Sequence, residues 1–408
     1  MIKTTTRLST TALSTMTLFL VAFINQIAYN LVIPVLVPLT TPQESTVFFN
    51  TSFWPVDWMH GIAIAAFSFS ALVSAPFIGY FSDISTRKRV ILLSMIGTFL
   101  GFLLLIVSLQ LHNFSLFVLG RIIAGACASS TAVVQAAMID CHPGQDKAKS
   151  LGIIALALTL GMVLGPFLGG IFIDPNISSA FSLETPFIAT ALLILVNAFL
   201  LMRCYQEPAV HLTDSLKKPG FFAAIVELPY RCRWWIIAFL LLELSWSYYF
   251  FLTPMVLTHT YYSSSTHIGL FLLMLGLAVC VGLTLMYQLC ARFLSIQQIL
   301  LGHTLVMLAG LLLSTVFFSA TIYWIIGAII AMSLATCYVT LLQLISDASP
   351  ADRQGTAMGL CNTMMGLAWT ISGVSANILF QEFSSSTAMI AAFILIPIIV
   401  LALKRRAD

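Results

Sequence analysis

Charged side chains are scarce in this chain. Asp, Glu, Lys and Arg make up 8% of its 408 residues, whereas hydrophobic residues make up 60%. A soluble globular domain carries about 25% charged residues, so this sequence cannot cover the surface of a soluble globule. The formal net charge of +3 arises from short polar loops between apolar runs, so it gives no support to binding of nucleic acid. The composition therefore predicts an integral membrane protein.

Patterns typical of disulfide frameworks, metal sites and enzymes are missing from the sequence. None of the eight cysteines belongs to a CxxC pair, and none falls in a loop that we predict to face outward. The sequence has no HExxH, no GxSxG and no cofactor motif, so we expect no cofactor, no metal and no enzymatic activity. A membrane enzyme and a channel, which would need clustered catalytic groups or charged rings, remain remote alternatives.

Long apolar runs are the dominant feature that is present. A helix of about 20 residues crosses the roughly 30 Å hydrocarbon core of a bilayer. Twelve segments of the chain meet this requirement, so we predict an all-α fold of twelve transmembrane helices. The predicted spans are residues 15–39, 59–81, 90–111, 115–140, 150–174, 184–203, 233–258, 267–290, 297–318, 321–346, 355–382 and 386–403.

The positive charges indicate the orientation of these spans. When successive spans alternate in direction, every one of the eighteen Lys and Arg residues except Arg121 falls on the same side. By the positive-inside rule that side is cytoplasmic. We therefore predict a multi-pass protein of the inner (plasma) membrane with both termini in the cytoplasm.

A long polar gap divides the predicted spans into two sets of six. Residues 204–232 form this gap, so we predict an amino-terminal half at 1–203, a cytoplasmic linker at 204–232 and a carboxy-terminal half at 233–408. An internal repeat supports the division. An Asp that ends a helix and a Pro that begins a turn are common enough to explain either copy alone. The repeat aligns Asp140, Pro143 and Gly152 with Asp347, Pro350 and Gly359 at a constant offset.

Three motifs give the sequence a specific resemblance. Gly79–Arg89 resembles the GxxxDxxxRK loop signature of the major facilitator superfamily, and Arg121–Gly125 is similar to its RxxxG motif in helix 4. Gly161–Gly170 resembles the GxxxGPxxGG signature that the twelve-helix drug:proton antiporters of this superfamily carry in helix 5. The resemblance implies two pseudo-symmetric six-helix halves, a substrate site between them near the membrane midplane, and a protein that works as a monomer.

The helix 5 motif has a physical reading of its own. Gly161, Gly165 and Gly169 recur every four residues, so they share one helix face and leave a groove in which another backbone can lie close. Pro166 removes a backbone hydrogen bond and permits a bend, and Gly170 completes the signature. A generic small-residue packing seam is the alternative. The equivalent residues of the second half are small but lack the proline: Ala368, Ser372, Gly373 and Ala376.

For the loop after helix 2, the resemblance implies a cytoplasmic latch between the two halves. It pairs Asp83 with the start of helix 11 and Arg87 with Asp140, while Gly79 and Lys88 belong to the same signature. Such a latch would stabilise the outward-open state. A purely topogenic role, in which the basic residues only fix the orientation of the chain, is the alternative.

Two charged residues inside predicted helices are candidates for proton coupling. Arg121 lies in span 4, where a guanidinium costs several kcal/mol and stays charged; the resemblance makes it a helper in proton transfer, and a structural arginine bonded to backbone carbonyls is the alternative. Glu243 is the carboxylate farthest from any predicted helix end. Removal from water disfavours the ionised form of a carboxyl group, so Glu243 is a candidate proton carrier, with a structural hydrogen bond as the alternative.

The resemblance also implies that helices 1, 4, 7 and 10 line the substrate cavity. Their amide and aromatic side chains suit a bulky amphipathic molecule. The candidate lining residues are Asn25, Tyr29, Asn30, Gln135, Trp246, Tyr249, Tyr338 and Gln343. Asp57 and His60, at the outer start of helix 2, are expected at the membrane interface.

These features predict a secondary transporter that exports an organic compound or drug in exchange for protons by alternating access. Its expected partners are a small organic substrate, protons and the lipid bilayer, with no nucleic acid. The alternative is a dedicated carrier, for export or uptake, of one metabolite such as a siderophore, sugar or osmolyte. Helix 1 favours that alternative because it offers Asn25 and Asn30 where several drug antiporters have an acidic residue.

Overall fold

The described part of the protein is entirely helical. The structure, a computed structural model, describes residues 2–40, 56–141, 147–207, 229–316, 319–349, 354–383 and 387–404. Within these ranges every regular element is a helix and no strand occurs, so the predicted all-α fold class is confirmed.

Among the described residues, the first half of the chain contains eight helical segments. Their bounds are α1 (Ile2–Asn30), α2 (Val32–Thr40), α3 (Val56–Ile84), α4 (Arg87–Gln110), α5 (Phe114–Ala128), α6 (Thr131–Asp140), α7 (Lys147–Phe172) and α8 (Thr185–Cys204). The break between α1 and α2 lies at Leu31. It has a local cause, because Pro34 has no N–H to donate to the carbonyl group of Asn30.

The described residues of the second half form eight further α-helices and one π-helical segment. Their bounds are α9 (Tyr230–Tyr261), α10 (Ser265–Val281), a π-helical segment (Gly282–Met286), α11 (Tyr287–Ala291), α12 (Ile296–Val316), α13 (Ala320–Ala348), α14 (Gln354–Phe383), α15 (Thr387–Ile394) and α16 (Ile396–Lys404).

These segments form the predicted membrane spans. Among the described residues, eleven helical stretches are long and apolar enough to cross a membrane, and Ala388–Leu403 is a shorter apolar stretch at the position of the twelfth span. Large apolar side chains on their outer faces, such as Leu93, are exposed, as expected for helices that face lipid. Eleven of the twelve predicted spans are confirmed in the predicted order, with ends that shift by a few residues.

Contacts divide the chain into two compact units. Unit 1 comprises Met1–Leu216 and Ser265–Leu270, and unit 2 comprises Lys217–Ser264 and Phe271–Asp408. The division in sequence falls within the predicted linker, of which residues 208–228 lie outside the described ranges. The linker and half boundaries therefore stay predictions.

Glycines bring helices of unit 1 into close contact. A Cβ atom added at Gly101 on α4 would lie 2.7 Å from the backbone nitrogen of Ala124 on α5, and one at Gly120 would lie 2.9 Å from the carbonyl oxygen of Gly101. Only glycine allows this approach of two backbones. The contact fixes the position of α5, which carries Arg121.

Helix α9 is enclosed by other helices in unit 2. All its consecutive residues from Ser245 to Thr258 are buried, which indicates a helix with no lipid-facing side over these turns. Short side chains attach it to its neighbours. The Ser245 hydroxyl donates to the carbonyl oxygen of Ala391 at 2.7 Å, and the Ser372 hydroxyl donates to Ser247 Oγ at 2.7 Å.

Candidate functional site

Arg121 lies at a buried polar site between α5 and α3. A Cβ atom added at Gly125 would lie 2.7 Å from Phe67 Cα, so this glycine lets α5 pack directly on the α3 backbone. One turn earlier, Arg121 is 1% exposed. Its Nε donates to the carbonyl oxygen of Ala63 at 2.9 Å, and its guanidinium carbon lies 4.5 Å from the centre of the Phe67 ring. In the RxxxG motif the glycine therefore allows the close contact between α5 and α3, and the arginine, one turn away on α5, bonds to the α3 backbone one turn from that contact.

Tyr29 of α1 completes this site. Its ring centre lies 4.9 Å from that of Phe67, its hydroxyl lies 3.0 Å from Ser68 Oγ, and it interacts electrostatically with Arg121. In the described part of the chain the guanidinium forms no ion pair, and its Nη1 atom is buried without a hydrogen-bond partner. The contacts to Arg121 are therefore a carbonyl group, an aromatic ring and a phenol, and its role in proton coupling stays a prediction.

His60 is buried near the start of α3, where it contacts α2. Its side chain is 2% exposed and is hydrogen-bonded to the backbone of Leu36 in α2. Helix α3 begins at Val56, so His60 lies in its second turn, and α2 extends to Thr40. The expected position of His60 at the membrane interface stays a prediction. The side chain of Asp57 lies outside the described residues.

The glycine face of α7 packs against the backbone of α1. A Cβ atom added at Gly161 would lie 2.6 Å from the carbonyl oxygen of Phe23, and one at Gly165 would lie 3.3 Å from Ile27 Cα. At Gly169 an added Cβ would lie 3.0 Å from the carbonyl carbon of Leu31. The spacing of four residues predicts this groove, and α1 occupies it.

The two remaining members of the helix 5 motif lie at the end of α7. Pro166 falls inside α7, which continues to Phe172 without a break. A Cβ atom added at Gly170 would lie 3.2 Å from the carbonyl carbon of Ser265, a residue that belongs to unit 1. Nearby, the hydroxyl of Thr266 donates to Asp174 Oδ2 at 2.5 Å. The role of the motif in antiport stays a prediction.

The loop between α3 and α4 forms charged contacts within unit 1. Arg87 and Asp140 form an ion pair, as the resemblance implies. A Cβ atom added at Gly79 would meet no atom within 4 Å, so no close contact requires a glycine there. The side chain of Asp83 and those of the first residues of α14 lie outside the described residues. The predicted latch between halves therefore remains a prediction.

The same loop and the end of α8 cap each other. Glu207 Oε1 accepts a hydrogen bond from the backbone N–H of Arg87, the first residue of α4, at 2.5 Å. Lys88 Nζ donates to the carbonyl oxygens of Met202 and Tyr205, at 2.9 Å and 2.7 Å. A carboxylate at a helix amino terminus and an ammonium at a helix carboxyl terminus are both favourable. The backbone N–H of Gln206 donates to Ser14 Oγ at 3.2 Å, which also fixes this segment.

Lys88→Gln is expected to lower the thermal unfolding midpoint of the purified protein, because it removes the cation that binds the last carbonyl groups of α8. The expected loss is about 1 kcal/mol, typical of a charged helix cap. The matched control is Arg89→Gln, which removes an equal charge from the same loop at an exposed position. If the two variants have equal midpoints in the same detergent, Lys88 does not stabilise the folded protein as a cap and its charge only fixes the orientation of the chain.

Glu243 is buried in unit 2 and bonded to an indole. Its side chain is 4% exposed, and Oε2 accepts a hydrogen bond from Trp369 Nε1 at 3.1 Å. The Trp369 ring centre lies 5.4 Å from those of Phe250 and Phe251, so aromatic packing orients the donor. Tyr338 interacts electrostatically with Glu243. A carboxyl group held in this way can bind or release a proton without leaving its hydrogen bond to the indole.

Trp369 is the residue at this site that the sequence does not reveal. It lies 126 residues from Glu243 in the chain, on a helix outside the set of four predicted to line the cavity. The sequence marks its neighbour Ala368 only as the counterpart of a motif glycine. No local pattern signals the bond, because it depends on how α9 packs against α14.

The candidate lining residues differ in their surroundings. Trp246 and Tyr249 are buried side by side, with ring centres 6.0 Å apart, and the Tyr338 ring lies 5.3 Å from that of Phe239. Gln343 is exposed and accepts a hydrogen bond from the Tyr287 hydroxyl. In unit 1, Asn25 and Asn30 are buried, whereas Tyr29 and Gln135 are half-buried. Their role as a common lining stays a prediction.

The chain matches one protein family along most of its length. The profile of the Major Facilitator Superfamily matches residues 18–373. The tetracycline resistance protein of class H from Pasteurella multocida is 28% identical over 193 residues, which cover 47% of this chain and 44% of that protein. The quinolone resistance protein NorA from Staphylococcus aureus is 32% identical over 111 residues, which cover 27% of this chain and 28% of that protein.

A solved structure has the same fold. The D-xylose-proton symporter aligns with a TM-score of 0.74 at 14% sequence identity, over 95% of both chains. This similarity confirms the predicted fold of two six-helix halves. The matches to the resistance proteins, by contrast, span less than half of their length.

Proposed function

This chain belongs to the major facilitator superfamily, and we propose that it is a proton-coupled carrier that exports an amphipathic organic compound or drug by alternating access. The observation that supports the proposal most directly is Glu243, a carboxyl group buried in unit 2 and bonded to Trp369. The tetracycline and quinolone resistance proteins among its relatives support a drug-like substrate.

The proposed coupling uses Glu243 as the proton carrier. Burial makes the ionised carboxylate costly, so a proton from the outer side binds when the site is open to that side. The neutral acid favours the inward-facing state, where release of the proton leaves a charge that water can stabilise. Ionised Glu243 then favours return to the outward-facing state. Arg121 assists from unit 1 by keeping a fixed positive charge at membrane depth.

The loop and glycine motifs supply the mechanical parts of the proposal. The ion pair of Arg87 with Asp140 holds the loop after α3, from which Asp83 latches the second half on the cytoplasmic side. The glycine face of α7 lets α1 move with α7 as one body, because their backbones are in contact. The candidate lining residues would bind the substrate between the halves.

The remaining parts of the proposal concern location and assembly. We place both termini in the cytoplasm and the protein in the inner (plasma) membrane, since the positive charges of the loops lie on one predicted side. It acts as a monomer on a small organic substrate and protons, without chemical conversion of the substrate.

A second candidate function keeps the fold and changes the task. Helix α1 carries Asn25 and Asn30 but no carboxylate, which favours a neutral or anionic substrate over a cationic drug. A dedicated carrier of one metabolite would fit this composition.

Proteoliposomes that contain a trapped pH-sensitive dye test the proposed function. With tetracycline or a quinolone loaded inside and diluted outside, antiport should acidify the interior, because each exported molecule brings protons in. Symport would make the interior alkaline, and that result would contradict export by proton exchange. Liposomes without protein provide the background rate.

A further inference from the structure

We propose that Arg121 is a binding site for the anionic group of the transported molecule, so that the substrate is an amphipathic organic acid. This inference rests on the proposed transport function and names the chemical class of its substrate. The observation that carries it is the buried guanidinium, whose Nη1 atom has no hydrogen-bond partner among the described residues.

The local contacts leave the charge of Arg121 uncompensated. A guanidinium stays protonated at any physiological pH and offers five N–H donors. One donor binds the carbonyl oxygen of Ala63, and the Phe67 ring adds a cation–π contact. Both partners are neutral, and the described residues provide no carboxylate partner. A buried cation with an unsatisfied donor is a costly arrangement, and an anion would relieve it.

A further donor lies on α1, the helix whose Tyr29 interacts electrostatically with Arg121. Asn25 and Tyr29 are one turn apart on α1 and therefore share a face. Asn25 Nδ2 is buried without a hydrogen-bond partner among the described residues.

These groups have the chemistry of an oxyanion site. A carboxylate can accept two parallel hydrogen bonds from a guanidinium and has further lone pairs for the amide N–H of Asn25. A cationic substrate would meet only the repulsion of Arg121 and a set of donors. The apolar Phe67 ring beside the guanidinium favours a carboxylate attached to an aromatic or aliphatic body over a small hydrated ion.

The test uses three probes of equal shape: 1-naphthoate, 1-naphthamide and 1-naphthylmethylammonium. The thermal unfolding midpoint of the purified protein is measured in detergent against the concentration of each probe, because a ligand that binds the folded state raises it. We expect naphthoate to stabilise the protein and the ammonium compound to have no effect. Equal stabilisation by naphthamide and naphthoate in the wild-type protein would overturn the proposal, as would stabilisation by the ammonium compound alone.

Variants assign the binding to the site. Arg121→Gln should weaken naphthoate binding at least about tenfold, as for loss of a charge-assisted bond worth roughly 1.5–3 kcal/mol. The matched control Arg292→Gln changes an exposed arginine of unit 2 and should leave naphthoate binding unchanged. If Arg121→Gln does not fold, Arg121→Lys serves instead, because an ammonium keeps the charge but cannot offer two parallel N–H donors to a carboxylate. It should weaken naphthoate binding several-fold and leave naphthamide binding unchanged, and equal affinity of the variant and the wild type for naphthoate would contradict the site.

Two outcomes separate this inference from the proposed function. In the first, chloride is titrated in a nitrate-free sulfonate buffer. If chloride alone stabilises the protein and naphthoate does not compete with it, the organic-acid substrate is overturned and proton-coupled export stays intact. Naphthoate binding that depends on Arg121, without any movement of protons in proteoliposomes, would support the site and contradict proton coupling.

Discussion

Glu243→Gln is expected to reduce proton-driven export to about the rate of liposomes without protein, while exchange of substrate across the membrane without a proton gradient continues. Glutamine has nearly the same shape as glutamic acid, and its carbonyl oxygen can still accept the hydrogen bond from Trp369 Nε1. It cannot release a proton, so the coupling step is lost and the packing is kept. The measurement compares gradient-driven efflux with substrate exchange in the same proteoliposomes.

The control for this experiment is Glu184→Gln. Glu184 precedes α8 in a polar loop, where its carboxylate accepts a hydrogen bond from the Ser182 hydroxyl. The change removes the same charge outside the helix interior and should leave both activities near the wild-type level. Proton-driven export that survives in Glu243→Gln would show that another group carries the proton.

Gly161→Ala is expected to destabilise the protein and to abolish transport. A Cβ atom at this position would lie 2.6 Å from the carbonyl oxygen of Phe23, a contact with backbone that no side-chain rotation can relieve. Helices α1 and α7 would have to separate, and overpacking of this kind costs typically 1–3 kcal/mol. Thermal unfolding midpoints and transport rates, measured on the same preparations, report the two effects.

Gly152→Ala is the matched control on the same helix. A Cβ atom there would meet no atom within 4 Å, and alanine is a better helix former than glycine by up to about 1 kcal/mol. The control should therefore be neutral or slightly stabilising. If Gly161→Ala behaves in the same way, close backbone contact is not what the motif provides.

Most of the fold is predictable from the sequence because a bilayer imposes strong constraints on it. Apolar runs of sufficient length fix the number and order of the helices, and the described spans follow the predicted ones closely. Local deviations were not predictable. The π-helical segment Gly282–Met286 interrupts an apolar run that has no proline, so its cause lies in tertiary packing. Helix ends depend on capping contacts, and α3 begins at Val56, before the predicted start of its span at residue 59.

The candidate site was predictable in its charges and not in its partners. A single arginine and a single glutamate inside long apolar helices attract notice because their burial is costly. Their neighbours come from other helices. The carbonyl group of Ala63 that accepts from Arg121 belongs to a backbone and leaves no sign in the sequence. The indole of Trp369 is one of seven tryptophans in the chain, and only the packing of α14 selects it.

The paired caps at Lys88 and Glu207 have a practical consequence for measuring motion in this protein. The polypeptide that leaves α8 is fastened to unit 1 as far as Glu207, through Lys88 and through the bond between Gln206 and Ser14. Gln206 itself is exposed. A fluorophore attached there would move with unit 1. A change in its distance to a second fluorophore on unit 2 would therefore report the transport cycle and not independent motion of the connecting chain.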